Sequence, residues 1–322
     1  MNGRINGEVV AHIDRRLTFY QWLLQVGVIL WDTHDNNGEQ YCLGVGDDFR
    51  AVFRPIVKHL QKLHDKGQFN GNLIASIRIR SQIVGNNPER RIFEVEFTGD
   101  MNFGGDNFEI GLRRDLQDLE HLVRSATAAM PEGNRPDSLK LYLLPVFRRY
   151  VFQGNIREEG RYFIYFNPLF YDGADRNRLY HKVWELRRRS DAEFQRHVTL
   201  ASQETSMIHW YHRIPCYFDA YGIPTLYQHP LWHVYRNRSS PHSTYATTPS
   251  IIRYLRNATH HYQDYSVGAL SSQVNDQLYR LFPDACPKIF FEIVKNFRGE
   301  NGRRYFGIDL VTFLKDGPFG FT

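Results

Sequence analysis

The sequence is poor in cysteine, the residue that builds disulfide frameworks and many metal centres. Its three cysteines, Cys42, Cys216 and Cys286, are isolated from one another along 322 residues. An odd number of isolated cysteines predicts no disulfide framework and is typical of a reducing compartment. We therefore expect a cytoplasmic protein, with the nucleus as the alternative location.

Long hydrophobic runs are also missing. The most apolar stretch, residues 22–31, is about ten residues long, whereas a bilayer-spanning helix needs about 20. Near the N-terminus, the apolar core that a signal peptide requires is interrupted by His12, Asp14, Arg15 and Arg16. The sequence predicts neither a membrane partner nor secretion.

Lysine is scarce, whereas arginine is abundant. The chain has 8 lysines against 32 arginines, a net charge of +5 and a pI near 9.0. Arginine suits bidentate contacts to phosphate and stacking on bases, so this bias favours nucleic-acid binding. A genome rich in G and C would produce the same bias whatever the function. A hydrophobic content of 42% predicts a folded protein with a core rather than a disordered chain.

The common catalytic motifs are absent. The sequence has no G-x-S-x-G, no Walker loop and no G-x-G-x-x-G following a predicted strand. Residues 46–48 (GDD) match the metal-binding triplet of viral RNA polymerases, but no supporting motif precedes them, and we interpret them as a turn. We expect no catalytic residue and no cofactor, although an enzyme with an unfamiliar site remains an alternative.

Two histidine pairs also fall short of a site. His209 and His212 could share one face of a helix, but no third metal ligand has a recognisable spacing, which favours an aromatic-rich interfacial helix. His260 and His261 are adjacent, whereas single-strand nicking enzymes need one residue between their histidines. We expect no metal site.

The clearest strand pattern alternates apolar and charged residues over 77–80 and 93–97. Paired antiparallel, these strands would place Arg78 and Arg80 opposite Glu94 and Glu96. An arginine followed by aromatic and β-branched residues recurs after polar turns and predicts three β-hairpins. The second strands of these hairpins lie at 89–97, 160–166 and 303–313, and the last two pair with strands at 139–152 and 288–296.

Helical periodicity predicts several helices between these hairpins. They lie at 8–30, the part of 50–65 after Pro55, 106–130 with Ile110 on its apolar face, 176–213, 251–258 and 271–281. A short strand is predicted at 41–46, a turn at 32–38, and loops at 130–138 and 214–248. Separate hairpins and helices without a βαβ rhythm predict an α+β fold, with antiparallel β-hairpins and packed helices in two small lobes.

The order of several segments resembles the amino-terminal half of eukaryotic Argonaute proteins. WDTHDNNGEQYCLG (31–44), ERRIFEVEF (89–97) and the helix that follows are similar to elements of the N domain. GRYFIYF (160–166) and TPSIIRYL (248–255) are similar to elements around the first linker domain. FFEIVKNFRGENGRRYFGIDLVTF (290–313) is similar to the hairpin that begins PAZ.

This resemblance implies a domain organisation. It comprises an N-like domain over 1–130, a linker-like region over 131–285 and an incomplete PAZ-like start over 286–322. Residues 167–247 have no counterpart and form a large insertion in the linker-like region. The MID and PIWI domains, which hold the 5′-phosphate site and the cleaving carboxylates, are not in this chain, so the resemblance implies no RNA cleavage.

The function that follows is a non-catalytic module of RNA silencing that contacts the backbone of a small-RNA duplex, with proteins of a silencing complex as further partners. The arginine run 187–189 alone is typical of a solvated helix face. Together with neighbouring basic and tyrosine-rich segments, it becomes a candidate for backbone contact. The candidate nucleic-acid-binding residues are Arg148, Arg149, Arg187, Arg188, Arg189, Arg303 and Arg304.

The alternative is a viral or transposon structural protein of the coat type, with a basic surface facing nucleic acid. Its support is the high aromatic content and the loops rich in Tyr, His and Pro, which suit protein interfaces. The sequence alone leaves these two functions open.

Overall fold

The fold class is α+β, as predicted. The computed structural model describes residues 4–5, 8–26, 31–36, 39–84, 91–99, 102–103, 107–128, 138–152, 158–189, 231, 234, 250–265, 271–282 and 285–297. The chain forms two compact units. Unit 1 comprises Met1–Lys140 and Leu144–Phe170, and unit 2 comprises Leu141–Leu143 and Tyr171–Thr322.

Unit 1 contains all the described strands. They are β1 (Arg4–Ile5), β2 (Glu8–Thr18), β3 (Trp31–Asn36), β4 (Glu39–Val45), β5 (Gln68–Phe69), β6 (Ile77–Val84), β7 (Arg91–Phe97) and β8 (Asn102–Phe103). Its α-helices are α1 (Phe19–Val26), α2 (Asp47–Asp65), α3 (Leu73–Ser76), α4 (Phe108–Thr127), α5 (Leu144–Val151) and α6 (Glu158–Tyr165). A π-helix (Ser138–Leu143) precedes α5, and a 3₁₀ turn (Pro168–Phe170) follows α6.

The main sheet is antiparallel, in the order β1-β2-β6-β7. Its register places Arg78 opposite Glu96 and Arg80 opposite Glu94, which confirms the predicted pairing. Arg80 approaches Glu96 to 2.9 Å, and Arg16 on β2 approaches the same carboxylate to 3.4 Å. The arginines of this sheet are therefore largely matched by carboxylates.

Aromatic side chains form much of the core of unit 1. Trp22 on α1 is fully buried and meets Phe93 of the sheet edge-on, with ring centroids 5.9 Å apart. Phe49 and Phe53 on α2 stack at 4.2 Å, and Phe19 packs edge-on against Phe53 at 5.8 Å. Each such ring stabilises the fold by about 2–3 kcal/mol through burial, so α1 and α2 are held to the sheet.

The predicted helix over 8–30 is wrong for its first half, because residues 8–18 form β2. Val9, Ile13 and Leu17 are four residues apart, a spacing that also keeps side chains on one face of a regular strand. Pairing with β6, together with the β-branched residues in this segment, decides in favour of the strand. Within the described residues of this segment, the helix is α1, and residues 27–30 of the prediction lie outside them.

The predicted turn at 32–38 is also wrong over its described part, because 31–36 is β3 and pairs antiparallel with β4. Backbone groups make these hydrogen bonds, so a polar sequence does not prevent them. The strand predicted at 41–46 is confirmed by β4. The GDD triplet is the start of α2, with Asp47 and Asp48 in the first turn, where carboxylates favour the helix dipole.

Helix α2 runs through Pro55, although the sequence predicted a helix only after it. An interior proline costs about 3 kcal/mol. The neighbouring side chains Val52, Phe53 and Ile56 are fully buried, and each contributes about 1.5–3 kcal/mol. Packing therefore overrides the local preference.

The second predicted hairpin is wrong, because residues 138–151 and 158–165 are helical. The aromatic residues of 160–166 have high β propensity, but that propensity depends on context. Here they fill the core of unit 1: Phe163 packs against Tyr150 with ring centroids 4.1 Å apart, and Ile164 is fully buried.

The third predicted hairpin is wrong in its first strand, because 288–296 lies within a helix over Ala285–Phe297. Buried Cys286, Ile289 and Phe290 follow helical spacing. Its second strand, 303–313, lies outside the described residues, as do 190–213 of the predicted basic helix, most of the predicted loop 214–248 and residues 130–137.

Helix α4 confirms the helix predicted at 106–130, with one correction. Ile110 is 70% exposed and does not belong to the buried face. The buried face begins at Leu112 and continues through Leu116, Leu119 and Val123. Gly111 lies against the ring of Phe69 so closely that a Cβ at this position would collide with it.

The described part of unit 2 is helical. Its elements are α7 (Gly173–Arg189), α8 (Ser250–Tyr265), α9 (Ser271–Leu281) and α10 (Ala285–Phe297). Helices α8 and α9 confirm the predictions at 251–258 and 271–281, and α7 confirms the described part of 176–213. The Arg176 guanidinium lies 4.4 Å from the centre of the Tyr279 ring. Burial raises the pKa of the Cys286 thiol to about 12.

A buried polar network joins four segments of unit 1. Asp115 on α4 is fully buried and accepts backbone N–H bonds from Asn70 and Gly71, both at 2.7 Å. Its Oδ2 also lies 3.1 Å from Nε2 of His64 on α2, whose Nδ1 contacts the hydroxyl of Tyr165 on α6. The contacts are satisfied by the imidazole tautomer that carries its hydrogen on Nε2.

The substitution Asp115→Asn should lower the free energy of unfolding by about 3 kcal/mol. The carboxylate now accepts hydrogen bonds from Asn70 and Gly71, whereas an asparagine would turn its NH₂ group, itself a donor, toward one of these donors. Urea unfolding followed by circular dichroism measures this change. Glu109→Gln, at an exposed carboxylate of the same helix, is the control and should cost less than about 1 kcal/mol. Equal small losses in both variants would contradict the role given to Asp115.

Candidate nucleic-acid interface

A groove lies between α4 and α5 in unit 1. Helices α4 and α5 are in contact, with Val123 and Ala126 buried on α4 and Phe147 and Val151 buried on α5. The groove has a volume of about 640 Å³. The lining residues are Glu120, Val123, Arg124, Thr127, Lys140, Leu144, Pro145, Phe147, Arg148, Arg149 and Phe152.

The groove is strongly basic. Among the described residues that line it are four cationic side chains, Arg124, Lys140, Arg148 and Arg149, and one carboxylate, that of Glu120. Cations from two helices and the π-helix thus converge on one small concave surface. Unlike charges that alternate along a solvated helix, they create a local positive potential that attracts anions.

Glu120 compensates this charge only in part. Its carboxylate is 9% exposed and lies 3.8 Å from Arg124 and 3.9 Å from Arg148, near the outer limit of an ion pair. Both arginine side chains remain more than half exposed. Arg149 is exposed and has no ion pair within the described ranges. Arginines 124, 148 and 149 can therefore reach a ligand from the groove.

An aromatic ring also lines the groove. Phe152 follows the last residue of α5 and is 52% exposed. The Arg148 guanidinium lies 5.8 Å from the centre of its ring. Val123, Leu144 and Pro145 give the groove an apolar side as well. The site thus combines positive charge with a surface on which a flat group can stack.

The structure brings together two of the predicted site residues, Arg148 and Arg149. Residues 187–189 form the end of α7 in unit 2, and only their backbone is described. Arg303 and Arg304 lie outside the described residues. The predicted set is therefore represented in the groove by its α5 members alone.

Sequence reasoning missed three groove residues: Arg124, Lys140 and Phe152. Residues 120, 124 and 127 share one face of a helix, so the periodicity of α4 could have indicated Arg124. Lys140 and Phe152 reach the groove through the helical path of 138–151, which was predicted as a strand. No local signal in the sequence identified them.

The Tyr165–His64–Asp115 chain has the composition of a proton relay, but it is closed to solvent. These residues are 1%, 2% and 0% exposed, respectively. Their bonds fix α2, α4, α6 and the 70–71 turn to one another. We assign this cluster a structural role.

A histidine cluster lies between α7 and α8 in unit 2. The rings of His181 and His260 are 5.4 Å apart, and His261 is adjacent at 4.7 Å from His260. Arg256 lies 3.4 Å from the His261 ring nitrogen. Within the described ranges, no group of three or more His, Cys, Asp or Glu side chains is arranged to hold a metal ion.

The His181 imidazole has a pKa below its usual value. Burial is the largest cause, followed by the positive charge of Arg256 and by His260, while Glu185 opposes them and His261 adds a smaller lowering effect. The folded state therefore favours the neutral imidazole.

No family model matches the sequence, and no curated protein or solved structure is significantly similar to it. In the part of the chain that the structure describes, none of the helices combines the length and the apolar content needed to cross a bilayer.

His181 should make the protein sensitive to acid. Because its pKa is lower in the folded state than in the unfolded state, its stabilising effect is present above about pH 6.5 and is lost as the pH falls through the folded value. We expect His181→Gln to lose less stability than the unaltered protein between pH 7 and pH 5, as measured by thermal unfolding. Identical pH profiles would contradict this assignment.

Proposed function

We propose that this chain is a non-catalytic RNA-binding module that holds the RNA backbone in the groove between α4 and α5. The observation that carries this proposal is that four cationic side chains and one carboxylate are found among the described residues that line one concave surface. The RNA backbone carries one negative charge on each phosphate, so neighbouring phosphates can face several cations of the groove at once. Binding it releases condensed counterions, which is the main source of non-specific affinity for nucleic acids.

The identity of the cations supports phosphate as the ligand group. Three of the four are arginines, whose planar guanidinium donates two parallel hydrogen bonds to phosphate oxygens. Arg149 is exposed, and no carboxylate of the described residues pairs with it, so its guanidinium is accessible to a phosphate. The buried Glu120 lies within 4 Å of Arg124 and Arg148, and both arginines remain more than half exposed.

The groove side chains also favour binding over chemistry. Arginine keeps its charge at every physiological pH and does not act readily as an acid or base. The carboxylate of Glu120 already faces two guanidinium groups. These features support a module that holds RNA rather than one that cleaves it.

A relationship to Argonaute proteins, and with it a role in RNA silencing, is the more specific part of the proposal. Its support lies in the N-terminal part of the chain. There strand β4, strand β7 and helix α4 follow in the order that the resemblance implies. Residues 290–297 lend no support, because they are helical where the resemblance implies the first strand of a hairpin. Proteins of a silencing complex would then be its partners.

Arg149→Gln tests the groove through the salt dependence of binding. Fluorescence anisotropy with a labelled RNA, between about 25 and 250 mM salt, gives the slope of log affinity against log salt. Loss of one phosphate contact should reduce the magnitude of this slope by about 0.7–0.9 and weaken binding at low salt.

The matched control is Arg114→Gln, which removes an exposed arginine of α4 that does not line the groove. It should leave the slope nearly unchanged. Equal effects of the two variants would indicate that only the net charge matters. RNA binding that is absent even at the lowest salt would refute the proposed function.

A further inference from the structure

The groove has a shape and a lining that suit an unpaired nucleotide. Its volume of about 640 Å³ falls within the range of sites that enclose small ligands. A duplex presents a convex surface of sugars and phosphates, with its bases stacked and paired inside. Such a surface would meet the rim of the groove but would leave its interior empty. A nucleotide whose base is free can enter.

The distribution of polar and apolar side chains points the same way. Backbone contact alone requires only the cations, yet Leu144 and Pro145 also line the groove. Phe152 adds a half-exposed ring to the lining. Base faces are the apolar, flat part of a nucleic acid, and they become available for stacking when the strand is unpaired.

Arg148 and Phe152 lie close together, so phosphate contact and base stacking can occur side by side. The guanidinium lies 5.8 Å from the ring centre, close enough for a cation–π interaction. A base stacked on the exposed part of the Phe152 ring would therefore lie beside the Arg148 guanidinium, and Arg149 is the next residue of the same helix.

We infer that the groove binds single-stranded RNA, with an unpaired base stacked on Phe152 and the adjoining phosphates held by Arg148 and Arg149. This inference rests on the proposed RNA-binding function and narrows it from RNA in general to the unpaired strand. Since every base has a π face, the groove should show little sequence preference. An acidic peptide would satisfy the cations but would leave the ring unused.

The test compares a labelled single-stranded 12-mer with its blunt-ended duplex, using the unaltered protein and Phe152→Leu. Leucine retains apolar bulk but has no π face. We expect the single strand to bind at least about tenfold more tightly than the duplex, and Phe152→Leu to weaken single-strand binding by at least about fivefold. Its effect on duplex binding should be small.

Two additional variants separate stacking from other effects. Phe152→Trp should retain or increase the affinity for the single strand, because it preserves the aromatic face. Single strands that contain 2-aminopurine should lose fluorescence on binding to the unaltered protein, since stacking quenches this base, and less so with Phe152→Leu. Circular dichroism verifies that the variants fold.

The outcomes separate this inference from the proposed function. Equal affinity for both RNA forms, without a response to Phe152→Leu but with the response to Arg149→Gln retained, overturns the inference and leaves the RNA-binding function standing. Binding of polyglutamate without binding of any RNA overturns both. Tighter single-strand binding that depends on the aromatic ring supports both.

Discussion

The buried carboxylate of Asp115 is the constraint on which the rest of unit 1 depends. It accepts two backbone N–H groups from the 70–71 turn and contacts His64, which in turn meets Tyr165. A carboxylate in the core is unfavourable unless donors surround it, so α2, α4, α6 and this turn must assemble together. This network fixes α4 about two and a half turns before Arg124, and α4 forms one wall of the groove.

The arginines of unit 1 serve two different purposes. On the sheet, Arg16 and Arg80 form ion pairs with a carboxylate of β7, so their positive charge is compensated within the fold. In the groove, the described residues place four cations beside one glutamate, and the side chains of Arg124, Arg148 and Arg149 remain exposed to a ligand. The sheet and the groove differ in how far carboxylates compensate their arginines, not in the number of arginines. The overall charge of the chain does not show this difference and was therefore a poor guide to the site.

The sequence predicted those features that depend on local periodicity. The pairing of Arg78 with Glu96 and the helix α4 follow from alternation and from helical spacing, and both are confirmed. The segment 160–166 failed because its aromatic residues have high β propensity, whereas burial against Tyr150 and His64 selects a helix. The same error affected the groove. The sequence pointed to Arg148 and Arg149 through their basic character. Phe152 was missed because its place in the groove depends on a helix that was predicted as a strand.

Photo-crosslinking of single-stranded RNA that contains 4-thiouridine, followed by mass spectrometry of the crosslinked peptides, tests the central claim most directly. A thiouridine stacked in the groove reacts with neighbouring side chains, so the account predicts crosslinks concentrated at 144–152, with Phe152 prominent, and at 120–127. These crosslinks should decrease with rising salt as phosphate contacts are lost. Crosslinks confined to other parts of the chain, with none in these two segments, would contradict it.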